Sequence, residues 1–372
     1  MQCKPVLDFF LGALSPSGFT GWFAQAAADP KITPWLIKAG PGCGKSTLMR
    51  RLLEQDAAQC QRTGSWIERI HCSSDPDSLD GVRLSDTGAL VLDATAPHTL
   101  DCKFPDASER LIPLYDALDH AFLVRHRGEI LQIGRDHARL MQMASAHWTL
   151  ACAVLLRRRV LAGDLVDEKK RAAFTARLAA RTMPVRRGAV PGQQHHRLLS
   201  APTPQGLTVY RETVRQLAWK TLYAVHDPYG AVSSRMMAQL AEHARQNGYD
   251  AYVCHCASDQ QGKIDHLFVP ALGLGFVTSN PWHPMEFAGQ KNIHATRFTT
   301  AAPAPLQRRL LAYHKKLAFD LLEKTCKTQE AAKSLHDALE RYYVQASDFQ
   351  AVDRIRARVE QELFEQSSIK EP

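Results

Sequence analysis

The sequence predicts an α/β protein of two tandem P-loop NTPase-like parallel-sheet domains, each followed by a helical segment, the second carrying a degenerate phosphate loop. Three observations predict it. Strand-like runs alternate with helix-like runs, the pattern of a parallel sheet covered on both faces. The stretch AGPGCGKST, Ala39 to Thr47, has phosphate-loop spacing between a strand and a helix, with Ala in place of the usual first Gly. Strings from the first half recur in the same order about 185 positions later, the sign of a tandem repeat. A length of 372 residues suits two domains at roughly 100 to 200 residues each.

The elements follow in order. TPWLIKAG, from Thr33, reads as a short buried strand, and KSTLMRRLLEQDAAQC, from Lys45, as the helix after it. SWIERIHCSS, from Ser65, and GALVLDATAPH, from Gly88, read as further strands, with a loop rich in Asp, Ser and Pro between them. From Asp116 to about Arg181 the chain turns helical. The Pro- and Gly-rich stretch around 186–205 reads as a linker. A second α/β pass follows, and from Leu306 the pattern is helical nearly to the end. The expected organisation is a P-loop domain over 1–120, a basic helical segment over 121–185, a linker over 186–205, a degenerate repeat over 206–300 and helices over 301–372.

The repeat aligns particular residues. HCSSD at His71 to Asp75 returns as HCASD at His255 to Asp259, His98 meets His283, and Asp80 meets Asp265. GFTGWF from Gly18 corresponds to GLTVY from Gly206. Placing Gly44 opposite Gly230 puts Ala231 at the position of Lys45, Val232 at that of Ser46, and Thr278 at that of Asp93. On this alignment the second copy lacks the ammonium, the hydroxyl and the carboxylate that Mg·ATP binding needs. Its expected role is to pack on, gate or regulate the first.

The first copy holds the chemistry. Gly40, Gly42 and Gly44 let the backbone turn tightly and aim successive N–H groups inward, with Ala39 before them and Pro41 and Cys43 between them. The helix beginning near Lys45 adds its positive end. Lys45 is expected to reach the β- and γ-phosphates, Ser46 to hold Mg²⁺, and Thr47 to contact the α-phosphate. A thiolate role for Cys43 is disfavoured, because the loop needs the N–H of that position and not its side chain. Asp93 ends a buried strand and is the expected second Mg²⁺ ligand. No Glu follows it, so the catalytic base is sought in CSSDPDSLDG, with Asp75 ahead of Asp77 and Asp80. His98 lies just beyond Asp93, where it is able to contact the γ-phosphate or cap the next turn.

Composition narrows the setting. An apolar content of 45% supports packed cores. ASAHWTLACAVLL is too short to span a bilayer and runs into Arg157, Arg158 and Arg159. The first residues lack the pattern of a secretory signal, and the nine cysteines form no disulfide framework, so a cytoplasmic setting is expected. His71-Cys72 and Cys254-His255-Cys256 lack CxxC spacing and read as strand-end residues before metal ligands. The net charge of +8 is concentrated in the middle, where Ala121 to Ser200 hold fifteen Lys and Arg against five Asp and Glu. This block is read first as a solvated helix face and second as a surface for nucleic acid or a protein partner, and one of its arginines is a candidate to complete the nucleotide site. The C-terminal helices read as packing or homo-oligomer surfaces.

KAGPGCGKSTLMRR, HCSSDPDSLDG, DATAPH, RLLSAPTPQG and HDALERYYVQASDF together carry a resemblance. Over nearly its whole length the chain resembles a group of bacterial tandem P-loop proteins, described only as ATPases or nucleotide-kinase-like proteins of unknown function. The resemblance implies ATP binding at Lys45, Ser46 and Asp93. In that family the second half generally keeps its own phosphate loop, and this chain departs from it there. The expected function is a Mg-dependent ATPase or nucleotide-driven switch with one active site. The alternatives are a kinase passing the γ-phosphoryl group to a small acceptor, and a nucleotide-dependent nucleic-acid binder.

Overall fold

The computed structural model describes residues 5–58, 66–84, 86–217 and 219–365. It is a mixed α/β structure built on two six-stranded sheets. In the first half, β1 (Val6–Phe9), the hairpin of β2 (Gly12–Ser15) and β3 (Gly18–Gly21), and α1 (Phe23–Ala27) precede β4 (Thr33–Lys38) and α2 (Lys45–Ala58). β5 (Ile67–His71), β6 (Leu79–Leu84), β7 (Ala89–Asp93) and β8 (Arg110–Pro113) complete a sheet of order β1-β5-β6-β7-β4-β8. Helices α3 (His120–Arg125), α4 (Arg127–Gly163) and α5 (Glu168–Thr182) follow.

The second half repeats the plan. β9 (Gln194–Leu198), the hairpin of β10 (Ser200–Thr203) and β11 (Gly206–Val209), and α6 (Arg211–Gln216) precede β12 (Thr221–His226) and α7 (Ser233–Gln246). With β13 (Ala251–Cys256), β14 (Asp259–Val269), β15 (Leu274–Ser279) and β16 (Lys291–His294) the second sheet has the order β9-β13-β14-β15-β12-β16. Helices α8 (Pro305–Ala346) and α9 (Phe349–Glu365) end the described chain.

β4 and β7 are near-continuous apolar runs because both faces are covered, and they pair in parallel with Ile37 opposite Asp93. The expected all-parallel sheet is corrected at one strand in each half. β6 runs antiparallel to β5 and β7, and β14 to β13 and β15. Only residues 72–78 separate β5 from β6, enough for a turn but far short of the dozen or more residues of a parallel crossover. The expected linker is corrected too, because β9 and β10 form inside 186–205 and β9 extends the second sheet beside β13.

Helices expected to stay with the half they follow are exchanged between halves. Long helices α4 and α8 lie antiparallel: Gln307 Nε2 donates to Leu161 O at 2.7 Å at one end, and Tyr342 Oη donates to Glu129 at 2.6 Å at the other. Beyond α4, Leu178 and Ala179 of α5 enter the core of the second sheet with Tyr223 and Met236. Beyond α8, Val352, Val359 and Leu363 of α9 enter the core of the first with Trp35, Leu48 and Val91. Each exchange is pinned by the same kind of crossing, Leu118 bridging Ser347 and Val166 bridging Thr299. Burying an apolar helix stripe against a foreign sheet contributes as much as against its own, since the hydrophobic term is non-directional.

The halves also meet through a buried charge cluster. Glu68 of β5 is fully buried and accepts hydrogen bonds from Arg83 at 3.0 Å, Arg197 at 2.8 Å and Tyr252 at 2.5 Å. Among the described residues no helix is long and apolar enough to cross a membrane.

Candidate functional site: two loops at equivalent sheet edges

The first loop joins β4 to α2 at the carboxyl edge of its sheet. Gly42 and Gly44 take φ of 69° and 82°, values that favour glycine. Lys45 opens α2, and its Nζ lies 3.2 Å from Oδ2 of Asp93 and 3.1 Å from the carbonyl of Gly40. Asp93 is positioned by β7 lying directly beside β4, and its Oδ1 accepts from Thr95 N at 2.9 Å. Ser46 Oγ accepts from Leu79 N at 3.1 Å, which ties the loop to the start of β6. Thr47 is exposed, and Cys43 is buried with Sγ 3.6 Å from Pro41 O. The structure thus brings Lys45 against Asp93, with Ser46 next to Lys45 and bonded to the start of β6.

Asp75 is placed differently. Its carboxylate accepts from Ser78 Oγ at 2.8 Å and faces Lys333 of α8 at 3.7 Å, so it holds a turn. The carboxylate of that stretch which reaches Asp93 is Asp80, on the unforeseen strand β6. Asp80, Asp93 and His98 are all buried and bring their ligating atoms within 4.8 Å of one another. Burial opposes a charge on His98, but the Asp80 carboxylate 3.4 Å away outweighs it and raises its pKa.

The second loop overturns one sequence alignment. Both loops place six residues between strand and helix, 39–44 and 227–232, so Gly42 and not Gly44 matches Gly230, whose φ is 74°. Ser233 then stands where Lys45 does, and Ser234 where Ser46 does. Residue 227, opposite Ala39, decides what the loop does. Asp227 Oδ1 accepts from the N–H groups of Tyr229 and Gly230 at 3.1 and 3.0 Å, and Oδ2 from those of Val232 and Ser233, both at 2.8 Å. The second loop folds as an anion cradle around its own carboxylate. An ammonium is also present, contrary to the alignment. Lys263 arrives from β14 with its Cε 3.2 Å from where a Cβ on Gly230 would stand, and it pairs with Asp265 at 2.6 Å. The repeat set Asp80 opposite Asp265 and His98 opposite His283, and the structure adds a contact inside each half, Asp80 with His98 at 3.4 Å and Asp265 with His283 at 3.2 Å.

Each loop is covered by the other half's exchanged helix. A Cβ on Gly40 would overlap the Tyr343 ring of α8, and one on Gly44 would overlap the Arg356 guanidinium of α9. Arg356 is buried and donates to Gly44 O at 3.1 Å. At the second loop, Arg158 near the end of α4 donates to Pro228 O at 2.5 Å. The expected arginine from the basic block therefore reaches the second loop, and the first receives one from α9. Arg158 and Arg171 are buried, and Arg159 pairs with Asp259 at 2.6 Å, so part of the basic block faces inward. Lys263, Tyr343 and Arg356 escaped the sequence because they reach the loops only through folding. Asp227, three residues before a Gly, carried a readable signal as an Asx-type turn former.

No protein-family model, curated protein or solved structure matches the chain.

Proposed function

We propose that the chain is a Mg-dependent, ATP-binding P-loop ATPase or nucleotide-driven switch, built from tandem P-loop-like halves, with its one catalytic site at Ala39 to Thr47. The contrast between the two loops carries this reading. They have equal length and follow equivalent strands, yet one is filled by Asp227 whereas the other has Ala39 at that place and Lys45, Ser46 and Asp93 converging on it. A loop that spends its N–H groups on an internal carboxylate has the geometry to cradle an oxyanion, and we read its partner, which matches it at Gly42 (φ 69° against 74° at Gly230) but not at Gly44 (φ 82° against −85° at Val232), as turning its N–H groups to a phosphate. The resemblance to bacterial tandem P-loop proteins supports the same assignment.

The donor set suits Mg²⁺, since Ser46 and Asp93 offer hard oxygen atoms. Mg²⁺ held there would supply charge neutralisation to a bound nucleotide's phosphates. Lys45, now held by Asp93 and Gly40 O, turns its ammonium to the same oxygens. Asp80, braced by His98, is better placed than Asp75 to take a proton from an attacking water. The inward-facing arginines of the basic block do not favour nucleic-acid binding.

The test follows the γ-phosphoryl of Mg·ATP with wild type and Lys45→Ala, with and without a metabolite extract. Free phosphate released by wild type alone supports the hydrolase. Label transferred to an extract component makes the protein a kinase, and identical behaviour of the two proteins defeats the reading.

A further inference from the structure

The second half has a cavity of about 680 Å³ at the carboxyl edge of its sheet, within the roughly 300–1,000 Å³ of small-molecule sites. It is enclosed by the second loop, α4, α8 and the turn between β2 and β3. Trp148, Leu155, Trp282 and Leu322 supply apolar wall, and the charged groups are Arg158, Arg159, Lys263, Asp259 and Asp265. Because Asp227 already occupies the N–H groups of the loop, this cavity does not offer a polyphosphate the cradle of the first half.

Its charges are unevenly satisfied. Lys263 is spent on Asp265, and Arg159 on Asp259, each at 2.6 Å. Arg158 is 5% exposed, donates to the main-chain carbonyls of Leu311 and Pro228, and lies 4.8 Å from the Tyr229 ring centre. Among the described residues no carboxylate is within ion-pair distance of it. Asp227 acts on it only through space, with its oxygens held by the loop. A buried guanidinium with carbonyl partners alone is costly unless an anion joins it. A second group points the same way: Trp148, 3% exposed on the cavity wall, has an indole N–H with no acceptor.

We propose that this cavity binds a small organic oxyanion, a carboxylate, sulfonate or phosphate monoester on an apolar ring-sized body, with the charge at Arg158 and the body between the tryptophans. The site is separate from the phosphate loop of the first half, and the proposal stands whether or not that loop binds ATP.

The experiment titrates the full chain calorimetrically with three naphthalene probes that carry a negative, a neutral and a positive group: 1-naphthalenesulfonate, 1-naphthalenemethanol and 1-naphthylmethylammonium. The sulfonate is expected to bind one to one, the alcohol at least about tenfold more weakly, and the ammonium more weakly again, since each tenfold is about 1.4 kcal/mol. Arg158→Met should weaken the sulfonate at least about tenfold and leave the alcohol unchanged, because an apolar side chain tolerates that burial. Ala153→Trp, an exposed position of α4 on the cavity wall, should block all three probes while melting like wild type. Absence of saturable binding, equal affinity for the three charges, or unchanged sulfonate binding in either variant would each overturn the proposal. The charge series needs no variant, so misfolding of one cannot hide the answer.

Discussion

Lys45 Nζ lies 3.2 Å from Oδ2 of Asp93, with both side chains mostly shielded from solvent. That pair joins the first turn of α2 to the end of β7, and it must open for the ammonium to meet a phosphate. Mg·ATP is therefore expected to raise the melting temperature of wild type, by linkage worth about 2.7 kcal/mol at a hundred times Kd. Lys45→Ala should show no such rise while folding normally. An equal rise in both proteins would show that nucleotide binds elsewhere.

Asp80 and Asp75 differ in what holds them. Asp80→Asn should slow phosphate release by about 10² or more, the usual contribution of a positioned general base. Asp75→Asn, altering a turn paired with Lys333, should stay within about threefold of wild type, since its half-buried ion pair is long, at 3.7 Å, and stands away from Asp93. Steady-state rates of the two variants decide it, and the reverse order would return the base to Asp75.

Asp227 is buried and accepts four main-chain hydrogen bonds from its own loop. Asp227→Ala leaves those donors unpaired and should cost about 2 to 4 kcal/mol in urea unfolding. Asp227→Asn, whose amide keeps one of the two acceptor oxygens, should fall between. A neutral Asp227→Ala would mean the carboxylate is not what holds the loop.

Glu68 gives the protein an acid limit. Burial alone would raise its pKa, but Arg197 and Arg83 outweigh it and pull the value from 4.5 to about 2. A carboxyl whose folded pKa is depressed contributes stability above its unfolded pKa and loses it as pH falls through the folded one. Wild type should therefore lose stability between about pH 4.5 and pH 2 in denaturant titrations. Glu68→Gln should flatten that window and lower stability at neutral pH by about 3 to 5 kcal/mol, because two guanidinium groups lose their buried partner.

A chain ending at Ser347 tests the helix exchange. Without α9 it exposes Trp35, Leu48 and Val91 of the first core, and hydrogen exchange should lose protection in β4 and α2. β12 and α7, whose core holds α5, should keep theirs. If the second half lost protection instead, the helices would belong to the halves they follow in sequence.

The amino-acid sequence by itself determined the mixed α/β class and several elements, β4, α2, β5 and β7 among them. Short-range patterns set them: apolar runs for β4 and β7, glycine spacing for the loop at Ala39 to Ser46, and repeated strings that set Asp80 opposite Asp265 and His98 opposite His283. β6 was not legible as a strand, and the short 72–78 connection sets its antiparallel direction once it forms. Tertiary structure alone decided which helix covers which sheet, because the apolar stripes of α5 and α9 fit either core in kind and only antiparallel packing of α4 and α8 carries them across. It also decided that Lys263 and Arg356 stand at the loops, since residues 33 and 312 positions away meet them only when distant strands and helices pack together.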